Sequence, residues 1–419
     1  MKNLKEVTFL IGKRVWILNH YALTPDLAGG TRHFDLGKEL VKRGYEIVIF
    51  ASGFDHASKK HIKVDPKESF KEEKLEGVCF VWLKTLGYKS NNWRRITNMF
   101  SYGFRIISAS RKFNKPDIII GSSVHPIAVF AGWWLAKRYK ARFIFEVRDI
   151  WPQTLIDMGA MKATDISARL LYAWEKFMCK QAEKIIVLMP MAKQYYINKG
   201  IDAGKIYWIP NGVDLERYQN HVALEPSTEI GQIIEQYREK FKVVYTGAHG
   251  QANGLDVAID AAAVLVSKAP DIHFILIGDG PSKQLLKEKA ESLGCTNVTF
   301  CEPVPKASIQ LILEFADVLL HCLKPIEVLK YGGSSNKLND YLASGRPIVM
   351  SADIVNDIIT EAQAGLTVIP GDPEALAEGI LKIFHMSKEE RERLGVNGRE
   401  YVEKHHNIST LGEALARLL

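Results

Sequence analysis

The sequence predicts an α/β protein of two doubly wound, Rossmann-like domains that face each other across a cleft, and three observations predict it. The chain has 419 residues, 47% hydrophobic and 25% charged, a globular composition whose length suits two or three domains. Short β-branched runs alternate with helical patterns along the whole chain, which is the mark of βαβ units and parallel sheets. The charge divides along the same line. A formal +7 conceals 35 basic and 19 acidic residues in 1–210, a balance of +16, against 20 and 29 in 211–419, a balance of −9.

The strands of the first half are expected at 15–19, 47–51, 79–83, 118–121, 143–147 and 185–188, each a short apolar run bounded by turn residues. Those of the second half are expected at 243–247, 273–278, 298–301, 318–321, 348–351 and 366–369. The turn cluster Pro210-Asn211-Gly212, with the polar stretch 220–227 behind it, marks the boundary. Domains are therefore expected at 1–210 and 211–400, with a C-terminal helix in 401–419 packing back toward the first domain. Residues 118–136 carry no Asp, Glu, Lys or Arg and approach the ~20 residues that cross a bilayer. Gly121, Ser122, Ser123, His125 and Pro126 interrupt them, so they read as a buried strand, a loop and an apolar helix. The charged residues 1–9 are not expected to form a cleavable signal. Five scattered cysteines without a CxxC pair read as reduced cytoplasmic thiols and offer no metal spacing.

Two glycine-bearing turns could carry chemistry. Gly29-Gly30 stand between the first strand and a helix with Phe34, Leu36, Leu40 and Val41 on its apolar face, where backbone could approach an anion. The spacing is not GxGxxG, and an ordinary strand-to-helix turn explains it as well. In the second half, Gly332-Gly333-Ser334-Ser335-Asn336-Lys337 leads into a helix that Ser335 or Asn336 can cap. Lys337 would place a point charge on its first turn, and Asp340, three residues on, shares its face. One could hold a diphosphate and the other a ribose diol; an exposed Lys–Asp pair is the plainer alternative.

Several motifs together resemble the retaining GT-B glycosyltransferases of family 4. They are Ile209-Pro210-Asn211-Gly212-Val213-Asp214, the turn Ile277-Gly278-Asp279-Gly280-Pro281, and Asn336-Lys337-Leu338-Asn339-Asp340 continued through Ser344-Gly345-Arg346-Pro347. Tyr245-Thr246-Gly247-Ala248-His249-Gly250 and Val147-Arg148-Asp149-Ile150-Trp151-Pro152 look like the branch that builds bacterial O-antigen, capsule and related polysaccharides, including N-acetylfucosaminyl-type amino-sugar transferases. The resemblance implies a UDP-sugar held on the C-terminal domain and an acceptor on the N-terminal domain, with no cofactor and no metal. It implies ribose binding by Asp340, the second carboxylate of the family's E-x7-E motif. The first carboxylate is absent, because Gly332 stands there, and backbone N–H groups of Gly332, Gly333 and Ser334 are its expected substitute. An Arg and a Lys usual near the first strand of that domain are replaced by His249, Gly250, Gln251 and Asn253, which leaves Lys337 as the cation for the diphosphate. Ser335, Asn336, Gly278 and Val304 complete the expected donor contacts.

In the first half, Arg148 stands where many relatives carry a His, beside Asp149 at the end of the strand 143–147. An Arg cannot act as a base near neutral pH, so it would contact an anion or orient Asp149. Glu146 points to the other face by strand alternation and reads as structural. His125 is a further cleft candidate beside Gly29 and Gly30. Catalytic roles are thus expected for Lys337, Asp149 and Arg148, with the departing diphosphate itself taking the acceptor's proton.

Between Gly77 and Phe145 lie twelve basic residues and one acidic residue, Asp117. Within 91–114, basic and aromatic residues interleave, and Trp93, Arg94, Arg95, Phe100 and Arg105 fit an anionic membrane surface. A solvated basic face on an ordinary helix fits as well. The leading expectation is a cytoplasmic enzyme, peripheral on the inner face of the membrane, that moves an N-acetylated amino sugar from a UDP-sugar to a polyprenyl-diphosphate-linked acceptor. A nucleotide-sugar 2-epimerase of the same fold and a non-catalytic assembly scaffold are the alternatives. Nucleic acid is not an expected partner, since no binding module accompanies the charge.

Overall fold

The computed structural model describes residues 12–56, 58–65, 67–88, 93–219 and 229–419. The chain start at 1–9, the first residues of the 91–114 segment and the polar stretch 220–227 lie outside the described residues. Two compact units emerge. The first runs to Thr24 and adds Thr31–Pro210 and Ile408–Leu419, while the second comprises Pro25–Gly30 and Asn211–Asn407. The domain border thus falls at Pro210/Asn211, with two departures from a simple division of the chain. Residues 401–407 stay with the second unit, and so does the loop containing Gly29 and Gly30.

In the first unit the strands are β1 (Arg14–Leu18), β2 (Glu46–Ser52), β3 (Phe70–Leu75), β4 (Val78–Leu83), β5 (Ile118–Ser122), β6 (Arg142–Val147), β7 (Lys184–Val187) and β8 (Ile206–Trp208). Among the described residues they form one sheet in the order β3-β4-β2-β1-β5-β6-β7-β8. It is parallel except where β3 runs antiparallel to β4. The helices are α1 (Arg32–Lys42), α2 (Trp93–Ala109), α3 (Pro126–Tyr139), α4 (Gln153–Asp157), α5 (Ile166–Gln181) and α6 (Ala192–Asn198). The central strands are buried along their length, β5 entirely, because helices cover both faces of a parallel sheet. Residues 118–136 divide into β5, a loop and α3, as their polar interruption predicts, and no helix among the described residues is long and apolar enough to cross a membrane. Sequence reading passed over β3, whose FKEEKL alternates charged residues on an exposed edge, where charge discourages edge-to-edge association. The three-residue β8 was passed over too.

The second unit holds α7 (Glu229–Gln236), β9 (Phe241–Thr246), α8 (Asp256–Lys268), β10 (Ile272–Ile277), α9 (Lys283–Ser292), β11 (Val298–Cys301), α10 (Ile309–Phe315) and β12 (Val318–Cys322). It continues with α11 (Asn336–Ala343), β13 (Ile348–Ser351), α12 (Ile358–Glu361), β14 (Gly365–Val368), α13 (Pro373–Phe384) and α14 (Lys388–His405). Its parallel sheet runs β11-β10-β9-β12-β13-β14. Alternation sends Val243, Tyr245, Phe274, Leu276 and Leu320 into one core layer and Val244, Ile275, Ile277 and Leu319 into the other. Each such side chain contributes about 1.5–3 kcal/mol by leaving water. A capping box of Ser387 and Glu390 starts α14. That helix packs so closely on the turn after α11 that a Cβ on Gly395 would lie 1.9 Å from the Gly345 carbonyl oxygen. The last helix, α15 (Ile408–Leu418), returns to the first unit and packs against α1.

Candidate functional site

In the second unit, α11 carries Lys337 on its first turn. Ser335 is the N-cap and its hydroxyl accepts from Leu338 N–H. The Lys337 ammonium donates to Tyr245 Oη at 2.7 Å and Asn253 Oδ1 at 2.9 Å, and lies 4.3 Å from the centre of the Tyr245 ring. No carboxylate pairs with it among the described residues. Burial lowers its pKa to about 7, because an ammonium without a counter-anion is costly in a poor solvent. Two glycines in positive-φ backbone, Gly247 and Gly278, make this approach possible. A Cβ on Gly278 would stand 1.9 Å from Gly247 O, and one on Gly247 would stand 3.1 Å from Lys337 Cε. His249 lies against Gly278, fully buried, with neither ring nitrogen partnered and its pKa lowered to about 4, chiefly by burial. Lys337, His249, Asn253 and Gly278 therefore form one cluster at the carboxyl ends of β9 and β10, with Gly250 between His249 and Asn253 in the chain. Such ends are the usual ligand position in doubly wound sheets.

Asp340, expected at the ribose, already has two partners within the second unit. One carboxylate oxygen accepts from Tyr218 Oη at 3.1 Å, and the other is held by the Lys306 ammonium. A carboxylate has about four lone-pair sites, so both oxygens keep capacity for a diol, but the charge is already balanced. The loop before α11 corrects an expectation. Gly332 N–H donates to Leu329 O at 2.9 Å and Gly333 N–H to Asn356 Oδ1 at 2.8 Å. These two donors cannot stand in for the absent carboxylate, because neighbouring acceptors in the fold already hold them. Ser334 is tied through its hydroxyl and carbonyl to Asn211, at 2.7 and 2.5 Å. A cavity of about 40 Å³ lies behind Gly333, Ser334 and Ser335, bordered by His321 and His406. Both ring nitrogens of His321 are buried and unpartnered. Val304 is half-buried and packs against the core of the second unit.

Gly29 and Gly30 were expected in the first domain and instead join the second unit. Leu27 O and Pro25 O accept from the backbone of Lys306 and Ala307 at 3.1 Å. A Cβ on Gly30 would lie 2.6 Å from Asn336 Nδ2, so glycine is needed there for close approach.

At the carboxyl end of the first unit's sheet, His125 caps α3 by accepting from Ala128 N–H at 2.9 Å, which fixes its proton on Nε2. Its ring stacks on His20 at 4.5 Å. His20 donates to Asn98 Oδ1 at 2.9 Å, since the Asn98 amide nitrogen itself donates to Thr85 and Leu86. Burial leads in depressing both histidines, His20 to about 3 and His125 well below its usual value. Both are neutral near pH 7.

Asp149 Oδ1 accepts from Ile150 N–H at 2.9 Å and Thr154 Oγ at 2.7 Å, and burial raises its pKa. Arg148 has a buried, unpartnered Nε, and burial lowers its pKa. Glu146 is the hub of a closed network, at 3.0 Å from Arg32 Nε, 2.6 Å from His33 Nε2 and 2.7 Å from Ser122 Oγ. Arg32 also donates to Ile209 O and Pro210 O. Burial opposes ionisation of Glu146, but His33 and Arg32 beside it hold its pKa well below the usual carboxylate range.

Along α2, Trp93, Ile96, Phe100 and Phe104 form an exposed stripe, with Phe104 73% accessible. Arg94 lies over the Trp93 ring and Arg105 is exposed. Arg95 does not join them. Its Nε is buried without a partner, and its charge disfavours protonation of His20, His56 and His125. Sequence reading missed Tyr245, Tyr218, Lys306, Asn211 and His321. Among these, Asn211 and Tyr245 stand in motifs that carry the resemblance, and His321 gave a signal of its own, as a polar residue near the end of an apolar strand.

The model of the Glycosyltransferase Family 4 domain matches residues 29–217, and that of Glycosyl transferases group 1 matches 240–386. WcaI of Escherichia coli K12, assigned to colanic acid biosynthesis as a glycosyl transferase, is 24% identical across 80% of this chain and 83% of its own. WbjE of Pseudomonas aeruginosa, assigned as a glycosyltransferase, is 23% identical across 71% and 72%. Sucrose-phosphate synthase of Thermosynechococcus elongatus superposes with a TM-score of 0.74 at 18% identity, over 97% of this chain and 98% of that one. HepE of Anabaena, in complex with UDP and glucose, does so with a TM-score of 0.68 at 15% identity, over 97% and 99%. The chain thus carries a Glycosyltransferase Family 4 domain followed by a Glycosyl transferases group 1 domain, and GT-B structures match its fold along nearly its full length.

Proposed function

We propose that this glycosyltransferase takes a sugar from a UDP-sugar, with retention at the anomeric carbon, and adds it to a polyprenyl-diphosphate-linked saccharide during synthesis of a bacterial surface polysaccharide such as O-antigen or capsule. The observation that carries the reading is the buried Lys337 ammonium with no counter-anion. A diphosphate seated against it would supply the missing charge, and charge building on the leaving diphosphate would be stabilised by a donor already in place. Asn253 and Tyr245 hold the ammonium, and Asp340 offers its remaining lone pairs to the ribose. Solved neighbours of this fold hold UDP with glucose or UDP-2-fluoro glucose, which supports the nucleotide. Two further relatives are named for amino sugars, an α-D-kanosaminyltransferase and a phosphatidylinositol N-acetylglucosaminyltransferase subunit, which supports an amino sugar as donor, and the second of them an N-acetylated one.

Retention needs no strong protein base, because the departing phosphate oxygen accepts the proton of the incoming hydroxyl. Asp149 suits orientation better than proton abstraction, since two donors hold one of its oxygens. Peripheral contact with an anionic membrane through the exposed stripe of α2 would bring the enzyme to its lipid-linked acceptor. The test is a panel of UDP-sugars with a polyprenyl-diphosphate-linked saccharide, read by mass spectrometry. UDP release and sugar addition that both require the lipid acceptor are expected. A donor epimerised without acceptor, or no turnover with any donor, would overturn the reading.

A further inference from the structure

At the amino-terminal ends of β6, β7 and β8, opposite the end that carries His125 and Asp149, the first unit has an open cavity of about 370 Å³. Its border brings together Lys137 and Lys140 from the end of α3, Arg142 from the start of β6, Lys180 from the end of α5 and Lys205 before β8, against one carboxylate, Glu183. That carboxylate is held by Arg142 at 2.7 Å, which also donates to the backbone of Leu418 and Leu419. Lys205 donates to Ala182 O at 3.0 Å. Among the described residues the ammonium groups of Lys137, Lys140 and Lys180 make no hydrogen bond or ion pair, so three cations border the cavity uncompensated.

One wall is Trp133, whose indole donates to Gln181 at 3.2 Å. Phe130 and Phe177 each stand 5.2 Å from it, centre to centre, and both are exposed. The apolar shelf continues along the same face of α5 through Leu170 and Ile166, which is 76% accessible. Cations at helix ends answer the helix dipole, but that accounts for neither the cavity nor the exposed aromatic shelf beside it. A soluble anion would gain nothing from such a shelf. A phosphate on a lipid would, because its acyl boundary lies beside the charge.

We infer that this cavity seats the phosphate of an anionic phospholipid, with Lys137, Lys140 and Lys180 around the headgroup and Phe130 and Phe177 entering the acyl boundary. The inference rests on the membrane association proposed above and adds a second, headgroup-specific contact to the stripe of α2. Since α2 packs on α3 and α3 on α5, both contacts lie on the helices covering one side of the sheet.

The experiment is co-sedimentation of the full chain with vesicles of phosphatidylcholine, alone or mixed in equal parts with phosphatidylglycerol. Lys137→Glu with Lys180→Glu should lower partition onto the mixed vesicles by at least about tenfold and leave the phosphatidylcholine background unchanged. Phe130→Ser with Phe177→Ser should lower it without any change of net charge. Lys382→Glu with Lys404→Glu, equal in charge and on the second unit, should lower it far less. Equal losses for the two lysine pairs would reduce the effect to bulk charge and overturn the inference. So would wild-type partition in both cavity variants. Circular dichroism verifies the fold of each variant. Transfer by wild-type enzyme in detergent, where no bilayer is present, reports on the proposed reaction separately, so failure of one reading is distinguishable from failure of the other.

Discussion

Both units bury charge at the carboxyl ends of their strands, and they balance it in opposite ways. In the first unit Arg32, Glu146 and neutral His33 close on one another. Asn19 donates to His33 Nδ1 and Ser122 donates to Glu146, so each polar atom at the centre has a partner. In the second unit Lys337 has a phenol and an amide beside it and, among the described residues, no anion. The difference separates a charge that holds the fold from a charge kept for a ligand. A closed buried pair resists disruption from either side. An open buried cation, by contrast, depresses its own pKa until something negative arrives.

The sharpest way to break this contrast is to remove one partner on each side. Glu146→Ala leaves Arg32 buried without an anion, and the expected loss is about 3–5 kcal/mol of unfolding free energy, read by denaturant titration. Normal stability in that variant would show the network to be dispensable. Lys337→Ala should do the reverse. Removing an uncompensated cation costs the fold little, while loss of a charge stabiliser at the leaving diphosphate costs about 10²–10³ in kcat. A melting temperature near wild type with turnover collapsed is the expected pair of results, and near-full turnover would end the role given to Lys337.

The two regions also differ in how far sequence could reach them. Strands β5 and β12 open on apolar runs, Ile118-Ile119-Ile120 and Val318-Leu319-Leu320, and the loops after them declare themselves by Ser and Pro. Lys337 was legible because it sits one turn into a capped helix after a glycine pair. Asn253 was legible as a donor-site residue, but its bond to Lys337 and that of Tyr245 were not, since both reach it only when β9 and its loop, 84–92 residues earlier in the chain, fold back on α11. Asp340 was legible as a carboxylate at the expected spacing, yet Lys306 and Tyr218, which balance it, come from remote loops without a local pattern. The N–H groups of Gly332 and Gly333 looked available because hydrogen-bond partners such as Asn356 are invisible at short range. Arg95 looked like a surface cation because helical periodicity gives its neighbours and not the side chains beneath them.

A smaller effect sharpens the contrast through pH. A UDP-sugar carries a diphosphate of fixed charge near neutrality, so the pH dependence of its affinity reports the protein. Lys337 titrates near 7 in the empty site, and a bound diphosphate raises that value. Below pH 7 the lysine is already charged and affinity should be flat. Above it, binding must take up a proton, and affinity should fall by up to about tenfold per pH unit. Calorimetry in buffers of different ionisation enthalpy should show that proton uptake. Lys337→Arg keeps its charge at every such pH and should flatten the profile, whatever its affinity. A wild-type profile flat from pH 6 to 9 would place the charge elsewhere.

The smallest expected effect is at His125, where the first unit's balance is achieved by neutrality. Its Nδ1 caps α3, its ring lies against His20, and burial holds its pKa far below the working range. His125→Asn retains a side chain that caps helices well and removes the only titratable atom. Turnover should change by severalfold at most, through lost packing against His20. The acid limb of the pH–rate profile between pH 5 and 8 should not move, because the wild-type imidazole does not change charge there. If the limb shifts with the substitution, the ring titrates in the working range, and the neutral stack of His20 and His125 would have to be read as part of the proton chemistry rather than as the wall beside it.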